Sequence, residues 1–257
     1  MSDLKAENFK IVDEALEIWN LQKGAEVLDI GCGQGKVVEY LEKEYGYKAR
    51  GIDISKEMIQ QGLEKKPKLN IQYGDGEFLD GFLSYSFDGV MMERVLSLIG
   101  LPDEALHEAY CVLKKGGKLF ISDLHIKDPD NELLTAVKIE AEKQRNMTHQ
   151  EDQYGSGHGE VGCDDHAEGQ DCSDCDSCTE EKHESQLEEE HRYRAVNFRS
   201  GGRFLLVPLV EQLKEIGFIN ITWKDCSEAL TKDMSEKIPF NDKYETGYFM
   251  LIADKPL

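Results

Sequence analysis

The sequence predicts an α/β protein built on a Rossmann-like, doubly wound parallel sheet. Three observations carry this. Short apolar strands alternate with amphipathic helices between Val27 and Ile126, a glycine-dense turn follows the first strand directly, and an acidic residue ends the second.

The elements follow in order. AENFKIVDEALEIW places Phe9, Val12, Leu16 and Trp19 at helical spacing. Val27 to Ile30 is an apolar strand that runs straight into Gly31-Cys32-Gly33-Gln34-Gly35. KVVEYLEKEY reads as a helix, KARGIDIS as a second buried strand, and Ser55 caps the helix KEMIQQGLEKK. LNIQYGDGEF is a strand and then a turn, and SFDGVMMERVLSLI holds an apolar strand that leaves its sheet near Glu93. PDEALHEAYCVLK is a helix with Pro102 near its start and a lysine-glycine end, and the strand GKLFISDLHI follows it.

After His125 the alternation breaks. NELLTAVKIEAEKQRN is helical, but residues 148–202 are polar, acidic and dotted with glycine, without a period. Regular structure resumes with FLLVPLVEQLKEIG, a helix ending at Gly217, then the strand FINITWKD, a short polar helix and a last strand, YFMLIAD. The chain therefore divides into one domain made of residues 1–125 and 203–257, with an inserted lid after the fifth strand, 126–202, which carries the acidic, cysteine-rich segment.

Composition narrows the function classes. The 257 residues are 40% hydrophobic and 32% charged, with no apolar run long enough to span a membrane. MSDLKAENFK has neither a basic start followed by an apolar stretch nor a cleavage site, so a cytoplasmic location with reduced thiols is expected. The net charge is −21, and residues 151–190 supply −14 of it, with 15 acidic side chains against the single basic Lys182. Such a surface repels nucleic-acid phosphates and anionic lipid, so neither is expected as a partner.

The glycine loop points to a nucleoside-containing ligand. Dense glycines let the backbone turn sharply and approach a ligand closely. Asp53 stands 24 residues after Asp29, matching the offset of about 20 at which a carboxylate accepts the hydroxyls of a ribose. A nicotinamide dinucleotide would more usually have its third glycine later.

VLDIGCGQG resembles the first motif of the class I S-adenosylmethionine-dependent methyltransferases. GIDIS, GDGEFL, FDGVMMERVLSLI and LKKGGKLFISD follow in the family's order. The resemblance covers residues 24–124 well and the closing EQLKEIGF…YFMLIAD loosely, and lies closest to the type 11 or UbiE-like group. It implies a seven-stranded sheet whose last strand runs antiparallel, and S-adenosylmethionine as cofactor. It further implies that Gly31, Gly33 and Gly35 line the methionine part and that Asp29 helps hold its amino group. Asp53, with Ile54 beside it, would take the ribose. Asp75 would take the adenine amine next to Gly76, where the family more often has alanine, and Glu93 would face the cofactor or the substrate.

Methyl transfer from a sulfonium is an in-line displacement, so alignment and desolvation supply most of the catalysis. A base is needed only where the acceptor loses a proton, and Glu93, Asp123 and His125 are the candidates. The expected acceptor is a small molecule. The competing readings are a non-catalytic sensor of S-adenosylmethionine or of a metal, and a metalloid methyltransferase.

The insertion holds Cys163, Cys172, Cys175 and Cys178, with His158, His166 and His183 among them. Cys-x-x-Cys-x-x-Cys resembles part of an iron–sulfur ligand pattern, and four of these side chains would equally make a tetrahedral zinc site. A thiol trap for a soft substrate and an acidic loop whose cysteines do nothing specific stand beside these readings. Cys32 and Cys111 read as small buried fillers. Arg192, Arg194, Arg199 and Arg203 either receive an anionic acceptor or neutralise the acidic stretch before them.

Overall fold

Val27, Leu28 and Ile30 are buried to 1% exposure or less in β1 (Glu26–Ile30), the near-continuous apolar run that a central parallel strand requires. The structure, a computed structural model, describes residues 9–154, 196–229 and 243–257. β2 (Lys48–Asp53) and β4 (Phe87–Glu93) flank β1 in parallel. β3 (Ile71–Tyr73) adds outside β2, and β5 (Leu113–Ile126) outside β4.

Near the C-terminus, β9 (Thr246–Asp254) pairs antiparallel with β5 from Lys118↔Asp254 to Ile126↔Thr246, and β8 (Ile219–Asp225) pairs antiparallel with β9. The resulting order, β3-β2-β1-β4-β5-β9-β8, is the seven-stranded sheet with a reversed last strand that the resemblance implies. Two further short strands form a hairpin, β6 (Arg199–Ser200) and β7 (Arg203–Phe204), with β7 meeting the end of β5 at His125. The sequence reading missed this hairpin because RSGGR is polar and carries no alternation.

Helices cover both faces. On one, α4 (Pro102–Val112) and α6 (Leu206–Ile216) bury Leu106, Ala109, Leu209 and Leu213 against Leu28, Val90, Ile121 and Leu251. On the other, α1 (Lys10–Trp19), α2 (Lys36–Tyr40) and α3 (Lys56–Lys65) bury Leu16, Trp19, Val38 and Ile59 against Val27, Met91, Phe120 and Met250. Ser55 caps α3 as expected, its hydroxyl accepting the Met58 N–H at 3.2 Å. α2 is shorter than its sequence suggests, because at Leu41–Tyr45 the helix widens into a π-turn that ends on left-handed Gly46. α5 (Asn131–Tyr154) leaves the end of β5.

α4 stops at Val112 rather than at the lysines, and Leu113 already belongs to β5. Lys255, on the far side of the sheet from the glycine loop, completes this helix end. Its ammonium donates to the carbonyls of Tyr110 and Leu113 at 2.6 and 2.8 Å and lies 4.2 Å from the centre of the Tyr85 ring. Burial lowers its pKa, so the charge is held by those carbonyls and rings and not by a carboxylate. Lys255→Met should cost about 2 kcal/mol in a denaturant melt by orphaning the buried Leu113 carbonyl and the part-buried Tyr110 carbonyl, and an unchanged midpoint would show that water replaces the ammonium.

Candidate active site

Strand order reverses between β1 and β4, and the crevice beyond the carboxyl ends of such strands is where open α/β sheets hold ligands. The glycine loop opens into it. Gly31 and Cys32 donate their N–H groups to the Ile52 carbonyl at 2.8 and 2.9 Å, tying the loop to β2. Gly31 has φ 76°, in the left-handed region that favours glycine, and a Cβ there would meet Cγ2 of Val95 at 2.2 Å. No other residue fits at that position. Gly33 and Gly35 are also left-handed.

Asp53 closes the loop. Its Oδ2 accepts the Gly33 N–H and its Oδ1 the Ser55 N–H, both at 2.8 Å. A carboxylate oxygen has two lone pairs, so each keeps one for a ligand hydroxyl. Ile54, beside it, is 64% exposed and offers a bare apolar side chain next to those oxygens.

Alternation along β1 puts Asp29 on the α1–α2 face, beside Val27. It is 2% exposed, and its Oδ2 has no hydrogen-bond partner. Burial holds its carboxyl well above the ordinary range, and the charges of Glu93 and Asp53 push the same way. Glu93, ending β4 on the same face, is likewise raised by burial and drawn back by Arg94, whose Nε lies 3.6 Å from Oε1. Asp29, Asp53 and Glu93 therefore converge, one carboxyl from each of three adjacent strand ends.

A second polar row continues across this face. Arg94, at φ 54°, donates its N–H to the Ser122 carbonyl at 2.7 Å. The buried Ser122 hydroxyl in turn accepts the Tyr248 hydroxyl at 2.9 Å. Burial first, and then the charge of Glu93, pushes the Tyr248 hydroxyl pKa up. Sequence reasoning missed Arg94, Ser122 and Tyr248, because two of them lie inside strands whose apolar run hides a polar side chain.

Asp75 sits past the end of β3, its Oδ1 accepting the Glu77 N–H at 2.9 Å. A Cβ on Gly76 would meet Cγ2 of Ile30 at 2.7 Å, so the alanine more usual at this motif position would require Ile30 to shift.

The other candidates lie elsewhere. Asp123 is buried on the opposite face with both oxygens engaged, Oδ2 by the Ser97 N–H at 2.9 Å and Oδ1 by the Leu124 N–H at 2.8 Å, and burial pushes it up to about 6. His125, on that same face, points toward the β8–β9 edge with Nε2 3.5 Å from Asp225 Oδ2 and its ring edge-on to Phe249. Burial lowers its pKa and Asp225 partly restores it. The structure thus groups Glu93 with Asp29 and Asp53, and leaves His125 outside the group.

Arg199 and Arg203 both bind backbone carbonyls among the described residues. Arg199 binds the carbonyls of Ile99 and Gly100, and the fully buried Arg203 donates to the Tyr244 carbonyl and Thr246 Oγ1. Cys32 is buried, whereas Cys111 is exposed and not the filler expected of it. Cys163, Cys172, Cys175 and Cys178, with Arg192 and Arg194, lie outside the described residues. Among the described residues no cluster of three or more His, Cys, Asp or Glu side chains has a metal-holding arrangement, and no helix is long and apolar enough to cross a membrane.

Comparison with known proteins gives these positions a context. Residues 28–121 match the model of a methyltransferase domain. An 18S rRNA (guanine(1575)-N(7))-methyltransferase of Saccharomyces cerevisiae is 29% identical over 143 residues, covering 51% of this chain and 52% of that protein. A ubiquinone biosynthesis O-methyltransferase of Xanthomonas oryzae is 32% identical over 106 residues, 40% of this chain and 44% of that protein. The chain spans about half the length of the curated relatives it matches.

Among solved structures, Haemonchus contortus phosphoethanolamine N-methyltransferase 2 with S-adenosylmethionine superposes with a TM-score of 0.57 at 17% identity, over 97% of this chain and 53% of that one. The [4+2]-cyclase SpnF superposes at 0.60 and 17% identity, over 96% of this chain and 81% of that one. One fold therefore serves both a methyltransferase and a cyclase, and only the residues of the site can separate such activities.

Proposed function

We propose that this chain, a member of the class I S-adenosylmethionine-dependent methyltransferases of the UbiE-like group, transfers a methyl group from S-adenosylmethionine to a small-molecule acceptor. The observation that carries the reading is the unpartnered, buried Oδ2 of Asp29, set among the carboxyls of Glu93 and Asp53. A buried carboxylate without a partner is costly unless a cation completes it. S-Adenosylmethionine has a cationic amine and a sulfonium, and its ribose presents the hydroxyl pair that the free lone pairs of Asp53 would accept. The residues present fit it.

In this reading Asp29 orients the amine, the backbone of Gly31, Gly33 and Gly35 lets the methionine part lie close, and Ile54 and Gly76 flank the adenine whose amine Asp75 accepts. When bound, the cofactor supplies an electrophilic methyl group on its sulfur. The chain aligns the acceptor and keeps water out. On the acceptor side, Glu93 Oε1 takes a proton where the acceptor must lose one; burial raises the affinity of that carboxyl for a proton and Arg94 offsets part of the rise. Tyr248, its O–H donated as a hydrogen bond to Ser122 Oγ, keeps its oxygen lone pairs to orient the acceptor. Glu93 rather than His125 is the base, because Glu93 shares a face with Asp29.

The division into a domain of residues 1–125 and 203–257 and an acceptor-facing insertion, 126–202, belongs to the same proposal. So does zinc or an iron–sulfur cluster on Cys163, Cys172, Cys175 and Cys178. Metal and sulfide analysis of protein purified without oxygen, against a Cys172→Ser, Cys175→Ser, Cys178→Ser variant, decides that part.

The test of the function is to incubate the chain with methyl-labelled S-adenosylmethionine and separate metabolite and RNA fractions. The RNA fraction is included because the yeast relative is named for rRNA. S-Adenosylhomocysteine should form with the metabolite fraction. Label in RNA would replace the small-molecule acceptor by a nucleic acid, and cofactor binding without turnover in either fraction would make the protein a sensor.

A further inference from the structure

Between the turn Leu96–Leu98 and α4, the segment Ile99–Leu101 is held from two sides by charged groups. Glu77 Oε1 accepts the N–H groups of Gly100 and Leu101 at 2.9 and 3.1 Å. From the opposite side the guanidinium of Arg199 donates Nη1 to the Ile99 carbonyl and Nη2 to the Gly100 carbonyl, the latter at 3.1 Å. A carboxylate accepting two amides and an arginine fork donating to two carbonyls are strong, directional arrangements. Together they fix both groups of two successive peptides, 99–100 and 100–101.

What they fix is a wall. The Cδ1 of Ile99 comes to 3.4 Å of the point where a Gly76 Cβ would sit, so Ile99 stands directly over the Asp75–Gly76 turn. Glu77 is bonded into that same turn through its own N–H, given to Asp75 Oδ1. One side chain thus ties the turn bearing Asp75 to the apolar residue facing it. Arg199 comes from β6, among the last residues of the insertion, and links the wall to the hairpin beside His125.

We propose that Glu77 and Arg199 are positioning residues that set the width of the adenine slot, and so the selectivity for a 6-aminopurine over a 6-oxopurine. This rests on the cofactor reading above. Asp75 accepts a hydrogen bond from an amine and repels an oxo group, and that discrimination holds only while Ile99 keeps the base pressed against it. Neither residue touches the reacting atoms.

Two product analogues read this out by calorimetry: S-adenosylhomocysteine, and S-inosylhomocysteine, in which an oxo group replaces the amine. The parent should prefer the first. Glu77→Ala and Arg199→Gln should each lower the ratio of the two dissociation constants roughly tenfold, and Glu77→Gln, which keeps an Oε1 acceptor, should restore most of it. A structural role alone would weaken both ligands equally. An unchanged ratio in Glu77→Ala, or in Arg199→Gln should the first variant fail to fold, overturns the proposal. A parent that binds neither analogue overturns the cofactor reading itself, and the proposal with it.

Discussion

Asp53→Ala is expected to weaken S-adenosylmethionine binding at least a hundredfold while leaving the protein folded. The side chain has two tasks. It fixes the glycine loop through the Gly33 and Ser55 N–H groups at 2.8 Å each, and in the proposed site it would offer the remaining lone pair of each oxygen to the ribose. Hydrogen bonds to a carboxylate contribute about 1.5–3 kcal/mol each, so losing two ribose contacts alone removes about 3 kcal/mol or more. The position is half-buried, and water can reach the two N–H groups once the carboxylate is gone, which limits the stability loss to about 1 kcal/mol. Asp53→Asn should fall between, because its amide accepts through one oxygen only. Calorimetric titration with S-adenosylmethionine checks this, and an alanine variant that binds within threefold of the parent would remove Asp53 from the site.

Much of this was legible before any coordinates. The apolar runs at Val27–Ile30 and Phe87–Met92 read as central strands because a parallel sheet buried on both faces leaves them no polar side to show. Asp29 and Asp53 stood out because a carboxyl at the end of a buried strand has few structural reasons to be there. The hairpin at Arg199–Phe204 was not legible, since two-residue strands are set by what they meet in space, here the end of β5. Nor was Tyr248, whose hydroxyl matters only because Ser122 lies opposite on the neighbouring strand. His125 is the contrary case: its place at a strand end suggested chemistry, and alternation turned it to the face away from Asp29. Spacing along a chain locates strand ends well, while the face each residue takes follows from the register, which this sequence leaves open.

Asp29→Asn should make the empty protein more stable and nearly useless for binding the cofactor. In the folded state burial, then Glu93, then Asp53 raise the Asp29 carboxyl well above its usual range. A raised carboxyl gives stability that is fully present below the unfolded value near about 4 and is lost as pH rises through the folded one. Asparagine has no charge to desolvate, so the variant escapes that loss, and its advantage over the parent should grow with pH across this window. Adding S-adenosylmethionine should reverse the order. In the proposed site the cofactor's cation would pair with the Asp29 carboxylate, so the parent should gain melting temperature with ligand by mass action, and the variant should gain little. The same linkage makes the parent's cofactor affinity rise with pH until the raised pKa of Asp29 is passed, because the carboxyl must surrender its proton to form the pair. Melting curves at pH 5 and pH 8, with and without the cofactor, contain the whole test. An asparagine variant less stable than the parent without ligand would mean that Asp29 is a satisfied structural group. One that binds as tightly as the parent would place the cofactor's amine elsewhere.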